Sequence, residues 1–109
     1  MTVLELCESL SLTPISLPQG DRSFDGVYIG DLLSWVMGKA QSDQIWITIM
    51  SNINIVAVAA LTDVAAILLA EGVTVDEKVI STAKEKGINV LASDLSAYEL
   101  AMKVAGIDK

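Results

Sequence analysis

The stretch from Ile45 to Ala70 is almost entirely apolar, and it limits this chain more than any other feature. Its polar breaks are Ser51, Asn52 and Asn54, then Thr62-Asp63. An aspartate at the centre of a bilayer costs roughly 2.5–3.5 kcal/mol on insertion scales. The longest unbroken runs, Ile55–Leu61 and Val64–Ala70, are far too short to span a membrane. The stretch therefore reads as the buried core of a soluble sheet, cut into strand, helix and strand, with a transmembrane helix as the lesser alternative. Ile45-Trp46-Ile47-Thr48-Ile49 is β-branched and aromatic, which suits a central strand. Ser51 or Asn52 can cap a helix running through Leu61, and Val64–Leu69 reads as a second buried strand.

The flanks continue the alternation. Thr2-Val3-Leu4-Glu5 is a capping box, followed by Val3, Leu6, Cys7 and Leu10 on one helical face. Thr13–Leu17 reads as a strand, and Pro14 places it at a sheet edge. Val27-Tyr28-Ile29 is a strand core. Asp31 is a good N-cap for a helix burying Leu32, Leu33, Val36, Met37 and Ala40. Thr74-Val75-Asp76-Glu77 and Ser96-Ala97-Tyr98-Glu99 are two further capping boxes. The first opens a helix burying Val79, Ile80 and Ala83, which ends at Gly87. Ile88–Leu91 is the last strand. Ala97, Leu100, Ala101 and Val104 face inward on the last helix. Short β–α units of this kind predict an α/β fold: a mainly parallel sheet of about five strands with helices on both faces, in one domain over residues 1–109.

Composition narrows the chemistry. With 109 residues and 52% hydrophobic content the chain can build an ordinary core without disulfides or metal. There is no histidine, and Cys7 is the one cysteine, so the commonest acid/base and soft-metal ligands are missing. No cofactor, metal or catalytic residue is expected. The formal net charge of −7 disfavours nucleic acid and anionic membranes as partners. Met1–Glu5 lacks the basic and apolar regions of a signal peptide, so a cytoplasmic location is expected.

Several segments carry a family resemblance. Ile67-Leu68-Leu69-Ala70-Glu71-Gly72-Val73-Thr74-Val75-Asp76-Glu77, then Ala83-Lys84-Glu85-Lys86-Gly87-Ile88-Asn89-Val90-Leu91, resemble the DRTGG domain family. So do Tyr28-Ile29-Gly30-Asp31-Leu32-Leu33-Ser34, Trp46-Ile47-Thr48-Ile49, and the closing Tyr98-Glu99, which brings the likeness to most of the chain from Gly26 onward. The resemblance implies a fold similar to the N-terminal domain of HPr kinase/phosphatase, and a regulatory role without established chemistry. The naming motif is absent: Ala70-Glu71-Gly72 stands where Thr-Gly-Gly is expected, and the one Asp-Arg pair, Asp21-Arg22, has another context. No G-x-x-x-x-G-K-[ST] loop is present either.

In a parallel sheet the strand ends would gather Gly30-Asp31, Ser51-Asn52, Glu71-Gly72 and Ser93-Asp94 along one edge, the usual ligand crevice of such folds. Gly30 and Gly72 would let a ligand approach the backbone. The carboxylates suit a polar ligand with donor groups better than a bare anion. The structural reading of the same residues makes Asp31 and Asp94 helix caps and Glu71 a solvated charge. Asn54 and Asp63 read as a first-turn and a turn residue, Trp35 and Trp46 as core or interface, and Cys7 as an inert buried thiol. The expected function is a non-catalytic regulatory or ligand-sensing domain, acting as a homodimer or by docking to a protein partner. The alternatives are an accessory subunit of a redox or signalling complex, or a small enzyme using Asp31, Glu71, Asp94 and Ser51.

Overall fold

The computed structural model describes residues 1–107. The elements in chain order are α1 (Val3–Ser9), β1 (Thr13–Ser16), β2 (Val27–Ile29), α2 (Leu33–Lys39), β3 (Ile45–Thr48), α3 (Asn54–Thr62), β4 (Ala66–Leu69), α4 (Glu77–Glu85), β5 (Val90–Ala92) and α5 (Ala97–Ile107). The five strands form one sheet in the order β1-β5-β4-β3-β2. β2 through β5 are parallel, and β1 joins β5 antiparallel. The α/β architecture is thus as the sequence predicts, with Pro14 on an edge strand and β4, not β3, in the middle.

The pleat divides the core in two. On one side Ile45, Ile47, Leu68 and Leu91 meet Val3 and Leu6 of α1 and Leu100 and Val104 of α5. On the other Trp46, Ile67, Leu69 and Val90 meet Val36 of α2, Ile55 and Val58 of α3, and Val79 and Ala83 of α4. All residues of β3 and β4 are buried, which explains their unbroken apolar runs. Among the described residues no helix is long and apolar enough to cross a membrane.

Caps show where sequence logic holds. Thr2 and Glu5 form their box, with Glu5 Oε1 accepting from the Thr2 amide at 2.8 Å and Thr2 Oγ1 from the Glu5 amide at 3.2 Å. Ser96 and Glu99 form theirs. Four expectations need correction. The cap of α4 is Asp76, whose carboxylate accepts from the Val79 amide at 3.1 Å, so the Thr74 box is displaced by a stronger acceptor two residues on. Asp31 does not cap α2: Leu32 holds that position without a side-chain bond. Neither Ser51 nor Asn52 caps α3, since Ile53 occupies that position. Asn52 Oδ1 accepts from the Asn54 amide instead, at 2.9 Å, an Asx turn leading into the helix. Finally, α2 buries only Val36 completely, and Leu32 and Met37 are exposed, because this short helix lies over the edge strand.

At the amino-terminal end of the strands Arg22 clasps two turns. Its Nη2 lies 2.8 Å from Asp43 Oδ1 and 3.0 Å from Asp63 Oδ1, and donates to the Asp63 carbonyl at 2.6 Å. Asp43 and Asp63 both have left-handed backbones, which aspartate tolerates well in turns. The hydroxyl of Ser42, donating at 2.7 Å, and then Arg22 hold the Asp63 carboxyl below its usual value. A lowered carboxyl stabilises the fold above its unfolded value and loses that effect as pH falls through the folded value. Asp63→Asn is therefore expected to be measurably less stable than the parent at pH 7. The difference should shrink below about pH 4, as followed by urea denaturation at both pH values. The side chain is well exposed, so the effect is small.

Cys7 is buried and its Sγ donates to the Leu12 carbonyl at 3.3 Å. Burial, then the neighbouring Glu8, pushes the thiol up, which agrees with an inert structural thiol.

Candidate functional site

The four sequence-selected pairs do follow the four parallel strands: Gly30-Asp31 after β2, Ser51-Asn52 after β3, Glu71-Gly72 after β4 and Ser93-Asp94 after β5. What the sequence does not reveal is the direction of winding. The order β2, β3, β4, β5 advances without reversing, and α2, α3 and α4 all cover one face. A parallel sheet opens a ligand crevice where its strand order reverses, and these strands never reverse. The discontinuity lies at the border of β5 and β1, where the parallel series ends.

The Asp31 corner is tied to its neighbour strand. Asp31 Oδ1 accepts from Thr48 Oγ1 at 2.8 Å and from the Ile49 amide at 3.0 Å, latching the turn after β2 onto the end of β3. Thr48 in turn accepts from the Met50 amide at 3.1 Å. The Gly30 carbonyl accepts from the Trp46 indole at 2.9 Å. A Cβ on Gly30 would lie 2.9 Å from the Tyr28 ring, so this glycine makes room for tyrosine packing and not for a ligand. Ser51 and Asn52 are exposed on the next loop.

The other two pairs form one joint. The Glu71 amide donates to the Leu95 carbonyl at 2.8 Å and the Gly72 amide to the Ser93 carbonyl at 2.9 Å. Both residues have left-handed backbones, with φ of 61° and 72°. The Thr-Gly-Gly pattern would put glycine at both, and Glu71 keeps the conformation without glycine's freedom. Ser93 Oγ accepts from the Leu95 amide at 3.1 Å. A Cβ on Gly72 would sit 3.0 Å from Asp94 Oδ1. Gly72→Ala is expected to lose about 1–3 kcal/mol through backbone strain and to push Asp94 aside. Glu71→Gly should be neutral or more stable by up to about 1 kcal/mol. Thermal unfolding of the two variants checks the contrast.

Beside this joint lies a cleft of about 560 Å³. Its walls come from the α1–β1 turn and β1, the β4–α4 loop, and the β5–α5 loop. Gly72, Ser93 and Asp94 line it, whereas Gly30, Asp31, Ser51, Asn52 and Glu71 do not. The antiparallel pair Thr13 and Ala92 lines it too. Leu10 and Leu95 belong to one core, and Ile15, Val73 and Val75 to the other, so the cleft straddles the end of the sheet. The side-chain oxygens of Ser11, Thr13, Thr74 and Asp94 receive no hydrogen bond from the described residues, and no Lys or Arg lines the cleft. Sequence reasoning missed the β1 wall, because only the antiparallel return of β1 brings Ser11 and Thr13 to the carboxyl ends of the other strands. Among the described residues no group of His, Cys, Asp and Glu is placed to hold a metal ion.

The model of the DRTGG domain matches residues 18–107, nearly the whole of what lies after β1. The chain belongs to the DRTGG domain family. The same fold recurs in the crystal structure of the CBS and DRTGG domains of the regulatory region of Clostridium perfringens pyrophosphatase, complexed with its activator diadenosine tetraphosphate. The TM-score is 0.75 at 17% sequence identity, over 93% of this DRTGG domain and 44% of that chain. The domain thus spans less than half of that regulatory region. No curated protein matches it in sequence. The segment before residue 18, which holds α1 and β1, lies outside the family match yet supplies one wall of the cleft.

Proposed function

We propose that this DRTGG domain is a non-catalytic regulatory domain that senses a small polar ligand in the cleft beside β1. It passes occupancy on through self-association or by docking to a partner protein. The observation that carries the reading is the cleft: apolar walls from both cores, hydroxyls and one carboxylate at its rim, and a volume within the range of small-molecule sites. Its similarity to the regulatory region of a pyrophosphatase held with a nucleotide activator supports a ligand-responsive role. A ligand touching both β1 and the two loops would favour the arrangement in which all three are docked, and so shift the population toward it.

Self-association draws support from Leu32, Trp35 and Leu61, which lie on or beside α2 and α3 and are each more than half exposed. A two-fold dimer is the commonest way to cover such surface. The carboxylate-enzyme alternative is poorly served. Asp31 is held by Thr48 and the Ile49 amide, and neither Asp31 nor Glu71 lines the cleft that holds Asp94.

Amide chemical-shift mapping of the labelled chain against nucleosides, nucleotides, amines and sugars tests the reading. Shifts at Thr74, Ser93 and Asp94 with at least one compound are expected. Shifts confined to the opposite end of the sheet, around Gln44, Gly87 and Asn89, would refute it. Sedimentation equilibrium with and without the binding compound reads the oligomeric response.

A further inference from the structure

We propose that the cleft takes the nucleoside end of its ligand, with the sugar diol on Asp94 and the base between the aliphatic walls. The inference rests on the reading of the cleft as a ligand site, and it names the chemistry. Asp94 offers two acceptor oxygens with no partner among the described residues and with glycine beside them at position 72. A vicinal diol presents two donors at the spacing of one carboxylate, which is how acidic residues hold ribose in dinucleotide folds. Ser11, Thr13 and Thr74 add hydroxyls that both donate and accept, as a base edge requires.

The walls favour a flat, apolar body. Leu10 and Leu95 stand on one side of the sheet end, Ile15, Val73 and Val75 on the other, and Ala92 adds a small side chain. Aliphatic side chains on opposite sides suit both faces of a ring, and the volume is ample for a nucleoside. Charge fixes the orientation. With no lining Lys or Arg, with the Asp94 carboxylate at the rim and a formal charge of −7, a phosphate gains nothing in the cleft. Any phosphate on the ligand projects into solvent, and affinity comes from sugar and base alone.

The test is titration of the labelled full chain with adenosine, 2′-deoxyadenosine and AMP. Adenosine is expected to shift the amides of Ser11, Thr74, Ser93 and Asp94. Loss of the 2′-hydroxyl, or Asp94→Asn in an otherwise unchanged spectrum, should weaken binding about tenfold, the scale of one charge-assisted hydrogen bond. AMP should bind no tighter than adenosine. Equal binding of the deoxy compound, or AMP binding ten times tighter, would overturn the assignment. So would shifts at these amides with a primary amine such as phenethylamine but none with adenosine, a result that leaves the sensing role standing. Silence at these amides with every compound removes both.

Discussion

Trp46→Ala is expected to cost about 3–5 kcal/mol, the range for deleting a large buried aromatic. Trp46 lies on β3 between β4 and β2 and has no exposed surface. It is the largest fully buried side chain and belongs to the core under α2, α3 and α4. Truncation empties that layer and also strips the Gly30 carbonyl of its indole donor. A domain of this size has only about 5–15 kcal/mol to lose, so much of the variant should unfold near its working temperature. Trp35, exposed and stacked under Lys39 Nζ at 4.7 Å from the ring centre, provides the contrast. Trp35→Ala should stay within about 1 kcal/mol of the parent. Urea denaturation of both variants, followed by circular dichroism, measures the difference.

Asn89→Ala is expected to cost about 3 kcal/mol, because it would leave the buried Ala65 carbonyl and two backbone groups of Gln19 without their partner. Asn89 is the residue just before β5 and is 2% exposed. Its Oδ1 accepts from the Gln19 amide at 2.9 Å, and its Nδ2 donates to the Gln19 carbonyl at 2.8 Å and the Ala65 carbonyl at 3.0 Å. The side chain thus pins the loop after β1 to the strands it must reach. Asn89→Asp keeps the shape but loses both donated bonds and buries a charge, so it should be no milder. A loss under about 1 kcal/mol in chemical denaturation would mean that water replaces these bonds at little cost.

Most of the architecture is legible in the sequence because its local and global signals agree. The β-branched run at 45–49 and the apolar run at 64–69 read as buried strands and hold β3 and β4. The Thr2 and Ser96 boxes open helices where the pattern says, and Gly87 turns away from α4 with φ of 73°. The failed caps have local causes. Asp31 and Asn52 have side chains that bond a backbone or hydroxyl group wherever one comes within reach, and Thr74 yields its place to Asp76. For Asp31 the partner is Thr48, on another strand and invisible to local pattern. The α2 stripe fails because periodicity shows which residues share a face, not whether anything covers it. For the candidate site, Gly72, Ser93 and Asp94 were legible as strand ends. Leu10, Ser11 and Thr13 were not, since their place depends on β1 pairing with the last strand.

That pairing also orders events in time. The parallel strands β2 to β5 each join the next in sequence, so their contacts close short loops. β1 must wait for a partner at the far end of the chain, as the 70-residue separation of Gln19 and Asn89 illustrates. Its ladder is also interrupted, by Pro14, which has no amide to donate, and by a shift in register between Pro14 and Ser16. The amino-terminal segment therefore docks last and frays first, and backbone amide exchange should be faster in β1 than in β3 or β4. Because β1 is also a wall of the cleft, a molecule seated there can be held only by a chain that has finished folding. Peeling of β1 would take that wall away.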